Sequence, residues 1–197
     1  RIKPGDRIEL GFAKAGCRGY LAVAGGFQAS PSFGSQSTVA REGLGGLHQD
    51  GKPLQAGDQL PCAESADQPA NQRLAQAQRP NPSTYNSAHC RVILGYQHQA
   101  FSSVQKQLFF SSTYQVTDSS DRMGYRRNGP AIKPAVDGIL AEGICLGAIQ
   151  VPADGQPIVL LVDRQTIGGY PKIGSVLSLD LGKLAQVTPG GTVSFET

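Results

Sequence analysis

The sequence predicts a mainly β chain: a barrel of short strands joined by Gly- and Pro-rich turns, with one or two short helices. Three observations carry this. Glycine and proline supply 25 and 13 of 197 residues, and long runs of good helix formers are missing. A turn-then-strand phrase recurs as Pro4-Gly5-Asp6-Arg7-Ile8, Ala56-Gly57-Asp58-Gln59-Leu60 and, more loosely, Pro189-Gly190-Gly191-Thr192-Val193. In each, glycine permits a positive φ, and the Asp of the first two can bond its own backbone. Apolar residues also alternate with period two, as in Leu21 and Val23, and in Leu177, Leu179 and Leu181 against Val176, Ser178 and Asp180.

Taken in order, residues 1–61 read as the C-terminal part of a first β lobe, with a strand over 20–24. Residues 62–84 are rich in Ala, Gln, Asn and Pro and hold no aliphatic larger than alanine except Leu74, so a linker or long loop is expected there. Residues 85–197 form a second β lobe. Val92-Ile93-Leu94 and the run Ile158 to Val162 are continuously apolar and read as central strands. Residues 99–110 are the best helix candidate, with Phe101, Val104 and Leu108 on one face. Asp154-Gly155 marks a hairpin turn between apolar arms.

Several function classes are excluded. A net charge of +3, with no block of like charges, does not suit a nucleic-acid partner. The longest apolar run is too short to cross a bilayer, so no membrane role is expected. Cys17, Cys62, Cys90 and Cys145 are scattered without a C-x-x-C, which argues against a disulfide framework or zinc knuckle and for buried, inert thiols. His48, His89 and His98 are equally dispersed, and no metal site is expected. The chain opens at Arg1 without an initiator Met or signal peptide. A piece of a longer, cytoplasmic protein is therefore expected.

Three clusters hold the candidate chemistry. Ser119 to Gly129 carries Arg122, Arg126 and Arg127 around a Gly and a Tyr, and arginine forks bind carboxylate or phosphate. In Ile149-Gln150-Val151, the amide must face away from both aliphatic neighbours. Asp163-Arg164-Gln165-Thr166-Ile167-Gly168-Gly169-Tyr170-Pro171-Lys172 gathers polar groups at a strand end, and the backbone N–H groups of Gly168 and Gly169 suit an anion. Neither a P-loop nor a G-x-S-x-G nucleophile elbow is present.

Tyr20-Leu21-Ala22-Val23-Ala24-Gly25-Gly26-Phe27, Phe33-Gly34-Ser35-Gln36-Ser37-Thr38, Ser120-Asp121-Arg122-Met123-Gly124-Tyr125-Arg126, Gly147-Ala148-Ile149-Gln150-Val151-Pro152, Asp163-Arg164-Gln165-Thr166 and Gly168-Gly169-Tyr170-Pro171-Lys172-Ile173 stand in one order along nearly the whole chain. In these phrases the chain resembles the allophanate hydrolase subunit 2 family. That family includes KipA, the C subunit of the bacterial ATP-dependent 5-oxoprolinase, and the carboxyltransferase segment of urea carboxylase. Two positions depart from its pattern: Gln36 stands where Arg is common, and Ile167 where Thr is common.

The resemblance implies a cyclophilin-like β-barrel and a further N-terminal segment beginning with a Gln-Asp-Gly-Arg phrase. It implies a component that works with a KipI-like subunit and a LamB/YcsF-like subunit to open 5-oxoproline to glutamate with ATP; the chain alone is expected to be inactive and to associate with itself or its partner. Under that activity Arg122, Arg126 and Lys172 are the candidates for anionic groups, and Asp163 for orienting a cation or accepting a proton. Gln150, Gln165, Thr166, Gly168, Gly169 and Tyr170 are the candidates for holding substrate. Two alternatives stand beside it. One is carboxyl transfer from carboxybiotin to urea, with biotin carried on another domain. The other is a KipA-like regulator that binds a KipI-like kinase inhibitor.

Overall fold

The computed structural model describes residues 5–64, 75 and 86–197. Contacts divide the chain into two compact units: Arg1–Glu9 with Gly19–Arg79, and Leu10–Arg18 with Pro80–Thr197. Most of the expected linker, residues 62–84, lies outside the described residues. In the first unit the described residues form only isolated bridges, Phe27 to Cys62, Ser32 to Ser35 and Val39 to Leu44. The strand expected over 20–24 is not formed there. A period-two pattern specifies faces, but a strand also needs a neighbour for its N–H and C=O groups, and among the described residues this segment has none.

The second unit is the expected barrel. Its strands are β1 (Ser87–Leu94), β2 (Thr113–Val116), β3 (Gly124–Asn128), β4 (Glu142–Gly143), β5 (Ala148–Gln150), β6 (Ile158–Leu160), β7 (Ile167–Gly168), β8 (Lys172–Val176) and β9 (Thr192–Glu196). Seven of them close in the order β1-β8-β5-β6-β3-β2-β9, and β4 with β7 forms a separate two-stranded sheet. The first glycine of each copy of the turn phrase is in the left-handed region, with φ of 89° at Gly5, 93° at Gly57 and 85° at Gly190. Any other residue there would be strained. The Asp154-Gly155 turn lies in the β5–β6 connection, with Asp154 Oδ1 accepting from Gln156 N at 3.0 Å.

Two helices depart from the sequence reading. Helix α1 spans Ser103–Ser111, starting later than expected because Ser102 caps it, its Oγ accepting from Gln105 N. A short 3-10 turn, Tyr96–Ala100, precedes it. Phe101 and Phe109 are buried and Val104 faces solvent, so the apolar face is rotated from the expected one. Of residues 176–181, read as a strand, only Val176 is in one, at the end of β8, and residues 178–181 lie in helix α2 (Ser178–Leu184). Leu181 and Leu184 are buried while Leu179 is exposed, the pattern of a helix rather than of alternation. Three of the four cysteines, Cys17, Cys62 and Cys145, are exposed; Cys90 alone meets the expectation of a buried thiol.

Successive residues along a strand face opposite sides of the barrel wall. Tyr125, Val159 and Ile149 lie in one cross-strand row and join the main core. The next row, Arg126, Ile158, Gln150 and Lys172, faces outward on β3, β6, β5 and β8. That outer face is partly covered. Ile144, just after β4, packs on Ala148, Leu160 and Ile158 in a small second cluster.

Two buried charges act on the barrel in opposite ways. Asp180 of α2 accepts from Arg91 N at 3.0 Å, Nε at 2.9 Å and NH2 at 2.8 Å. These bonds hold its carboxyl down at about 2. A depressed carboxyl stabilises the fold above its unfolded value and loses that contribution as pH falls through the folded one. Asp180→Asn should thus lower stability by about 2 kcal/mol at pH 7, with the difference from the parent shrinking between pH 4 and 2 in urea titrations. Arg127, by contrast, is 1% exposed inside the barrel, with none of its guanidinium nitrogens bonded among the described residues. It lies over the Phe195 ring at 4.5 Å, and burial pulls its pKa down. An unpaired buried cation is a liability that ring contacts offset in part. Arg127→Met should raise stability by roughly 1–3 kcal/mol, read as a higher thermal midpoint.

Candidate functional site

The outward row places Lys172 beside Gln150 across β8 and β5. Lys172 faces outward, yet its side chain is only 11% exposed, because Glu142 of β4 lies over it. Nζ is 2.6 Å from Glu142 Oε1, and the contact is an ion pair with poor hydrogen-bond alignment. The Gln97 side chain, from the 3-10 turn, closes a ring around the pair. Its Oε1 accepts from Lys172 N at 3.1 Å, and its Nε2 donates to the same Glu142 oxygen. The Lys172 ammonium and then the Gln97 amide hold Glu142 below the ordinary carboxylate range.

This ring forms the polar end of a cleft of about 690 Å3, walled by Ile93, Leu94 and Tyr96 and edged by Cys145 and Ser175. Cys145 Sγ and Ser175 Oγ are 3.0 Å apart. An apolar cleft with a few convergent polar groups is the usual form of a small-molecule site. Its charges cancel, Lys172 against Glu142. Among the described residues, no three His, Cys, Asp or Glu side chains come together as a metal site would require.

A second polar group adjoins the first. Gly168 of β7 pairs with Glu142 of β4. A Cβ at Gly168 would stand 2.9 Å from Gln150 Nε2 and 3.6 Å from Gln165 Nε2. Gln165 Nε2 donates to Gln150 Oε1 at 3.4 Å. The structure therefore brings together Gln150, Gln165, Gly168 and Lys172. Thr166 lies between Gln165 and β7 and contributes its carbonyl, which accepts from Ile144 N at 2.9 Å. Gly169 holds the same covering segment, its carbonyl accepting from Ile139 N at 2.8 Å, and Tyr170 is exposed beside it.

Arg122 and Asp163 lie elsewhere. They pair bidentately, Nε to Oδ2 at 2.9 Å and NH2 to Oδ1 at 3.0 Å, and Asp163 N donates to Arg122 O at 3.0 Å. That pair extends the β3–β6 ladder past Leu160, at the end of β6 opposite to Ile158 and Gln150. Arg126 shares the outward row with Gln150 but stands two strands away, and its side chain is exposed.

Gln97 and Glu142 were missing from the sequence-based set. Glu142 carried one usable signal: a lone acid in the otherwise small or apolar run Gly138-Ile139-Leu140-Ala141-Glu142-Gly143-Ile144.

Comparison with known families identifies this chain as a carboxyltransferase-type domain. The chain belongs to that family: residues 1–197 match the carboxyltransferase domain, subdomain A and B. It is 38% identical over 195 residues to the C subunit of 5-oxoprolinase from Escherichia coli K12, covering 98% of this chain and 60% of that protein. Against the C subunit of 5-oxoprolinase from Haemophilus influenzae it is 37% identical over 198 residues, covering 100% of this chain and 61% of that protein. The chain thus spans about three-fifths of the length of these relatives. The crystal structure of the K. lactis urea amidolyase superposes with a TM-score of 0.81 at 28% identity, over 92% of this chain and 12% of that one.

The ring of contacts has an asymmetric consequence. Glu142 is 46% exposed and Lys172 nearly buried. Removing the carboxylate strands a buried ammonium, whereas removing the ammonium leaves a carboxylate that water can reach. Glu142→Gln should lower stability more than Lys172→Met does, compared by chemical denaturation.

Proposed function

We propose that this chain serves as the C subunit of an ATP-dependent 5-oxoprolinase. In the cytoplasm it acts with a KipI-like subunit and a LamB/YcsF-like subunit to open 5-oxoproline to glutamate. The observation that carries the reading is Lys172, buried and fixed against Glu142 at the polar end of an apolar-walled cleft. The identity to the 5-oxoprolinase C subunits of two bacteria supports it.

Opening a lactam adds water across the ring C–N bond: the carbonyl carbon gains oxygen, the nitrogen leaves and takes a proton. Negative charge grows on the carbonyl oxygen, and the fixed, nearly buried Lys172 ammonium stabilises it. Glu142, kept ionised by its neighbours, is placed to accept the proton of the attacking water. Gln97 is a positioning residue, since it holds both the Lys172 backbone and the Glu142 oxygen.

ATP belongs to the assembly rather than to this cleft. A triphosphate needs cations not already neutralised, yet Lys172 is paired with Glu142 and Arg122 with Asp163. No step here is routed through the nucleotide. The likeness to urea amidolyase favours one second reading, carboxyl transfer to urea with biotin supplied by another domain. In both readings the ligand reaching this cleft is small, polar and rich in amide character.

Lys172→Met in the assembled complex should lower kcat/KM for 5-oxoproline by roughly a hundredfold, the loss of one preorganised charge-stabilising group, with the fold retained. Parental turnover by that variant would remove Lys172 from the chemistry. Carboxylation of urea without turnover of 5-oxoproline would transfer the site to the second reading.

A further inference from the structure

Gln150 and Gln165 pose a hydrogen-bond problem that the fold does not solve. Gln150 is 2% exposed, beside the small apolar cluster of Ile144, Ala148 and Leu160. A buried amide in such a place should have all its groups paired. The two amides share one hydrogen bond, from Gln165 Nε2 to Gln150 Oε1 at 3.4 Å. Among the described residues, Gln150 Nε2 and Gln165 Oε1 are buried without partners. Turning both amides over does not help: one bond is still shared, and one NH2 and one C=O are still left over. A half-satisfied polar pair is less stable than an apolar pair of the same size, so packing alone does not account for it. Gly168 adds a second observation. A Cβ there would stand 2.7 Å from Ile144 Cδ1 and 2.9 Å from Gln150 Nε2, so only a glycine lets the β7 backbone lie this close over the amide.

The unused donor and unused acceptor have one natural complement. A cis amide presents its N–H and C=O on the same edge, side by side, as five-membered lactams and ureas do. A trans peptide points them in opposite directions and cannot satisfy both groups. We propose that Gln150 and Gln165, beneath the glycine backbone at Gly168, form a subsite that reads the cis-amide edge of a lactam or urea: Gln150 donates to the ligand carbonyl, and Gln165 accepts from the ligand N–H. This rests on the function proposed above and names the feature of the substrate that the site recognises. It gives one physical reason why relatives named for 5-oxoproline and for urea share this domain, and it excludes ordinary peptides as ligands. The cover over the amides is the β4–β7 pair, only two residues on each strand, so the ligand enters as that pair lifts.

The test compares binding of 5-oxoproline with its lactone analogue, in which a ring oxygen replaces the N–H, to the assembled protein without ATP, by calorimetry. The lactone should bind at least about tenfold more weakly, because it sets an oxygen lone pair against Gln165 Oε1. Urea should compete with 5-oxoproline. Gln165→Met, at a half-buried position, should bring the lactam-to-lactone ratio near one, whereas Gln150→Met should weaken both ligands and leave the ratio in place. Gly168→Ala should weaken both ligands together. Equal binding of lactam and lactone to the parent, no binding of either, or an unchanged ratio in a folded Gln165→Met variant overturns the proposal and leaves the amide pair to an ordered water. The two readings fail separately. Turnover of 5-oxoproline without lactam preference overturns the subsite alone. Lactam preference that Gln165→Met abolishes, in an assembly that turns over no 5-oxoproline, overturns the proposed activity alone.

Discussion

A sheet of short strands has two unpaired edges unless it curls round to meet itself, and here the meeting is made by β1. Its first five residues, Ser87 to Arg91, pair in parallel with β9, and its last three, Val92 to Leu94, pair antiparallel with β8. Arg91 sits at the handover. Its N–H and guanidinium are taken by Asp180, and its carbonyl accepts from Leu177 N at 2.9 Å. The start of α2 thus satisfies the backbone where one ladder stops and the other begins. β8 reaches its place through this junction, and β8 carries Lys172. The register that sets Lys172 beside Gln150 follows from how the barrel closes.

The barrel was legible in the sequence because its rules are local. The turn phrase places Gly5, Gly57 and Gly190 at positive φ, but only Gly190 leads into a barrel strand, β9. Ile158 to Leu160 is buried from both sides and reads as continuously apolar for that reason. The misreadings share one cause, tertiary context. Leu177, Leu179 and Leu181 fit a strand by period. They form a helix because Asp180 must reach Arg91 while Leu181 and Leu184 reach the core. Residues 20–24 carry a strand pattern without a strand, since pattern fixes a face and only a neighbour fixes a ladder.

The site was legible in part for a similar reason. Gln150 stood out because an amide flanked by two aliphatics must face the other way, and that face is closed by a second layer. Lys172, Gln165 and Gly168 stood in a dense polar phrase near a strand end. Glu142 and Gln97 come from distant segments and meet Lys172 only in the folded chain. The clustering that marked Arg122 and Asp163 reflects the continued β3–β6 ladder, which brings them together as an ion pair at the far end of β6.

The cancelling charges bear on what the cleft selects. A free lysine in an apolar cleft would draw any small anion, phosphate included, and its affinity would fall with salt. Lys172 tied to Glu142 offers little net field at a distance, so it does not choose ligands by charge. Its ammonium matters when charge develops within a few ångströms, where the local interaction is strong and poorly screened. Selection must therefore come from neutral groups, and the neutral groups beside it are the amides of Gln150 and Gln165. In the proposed site, recognition by hydrogen-bond edge and stabilisation by a masked charge are separate tasks, with Gln150 and Lys172 neighbours in one cross-strand row and Gln165 bonded to Gln150 from the segment before β7.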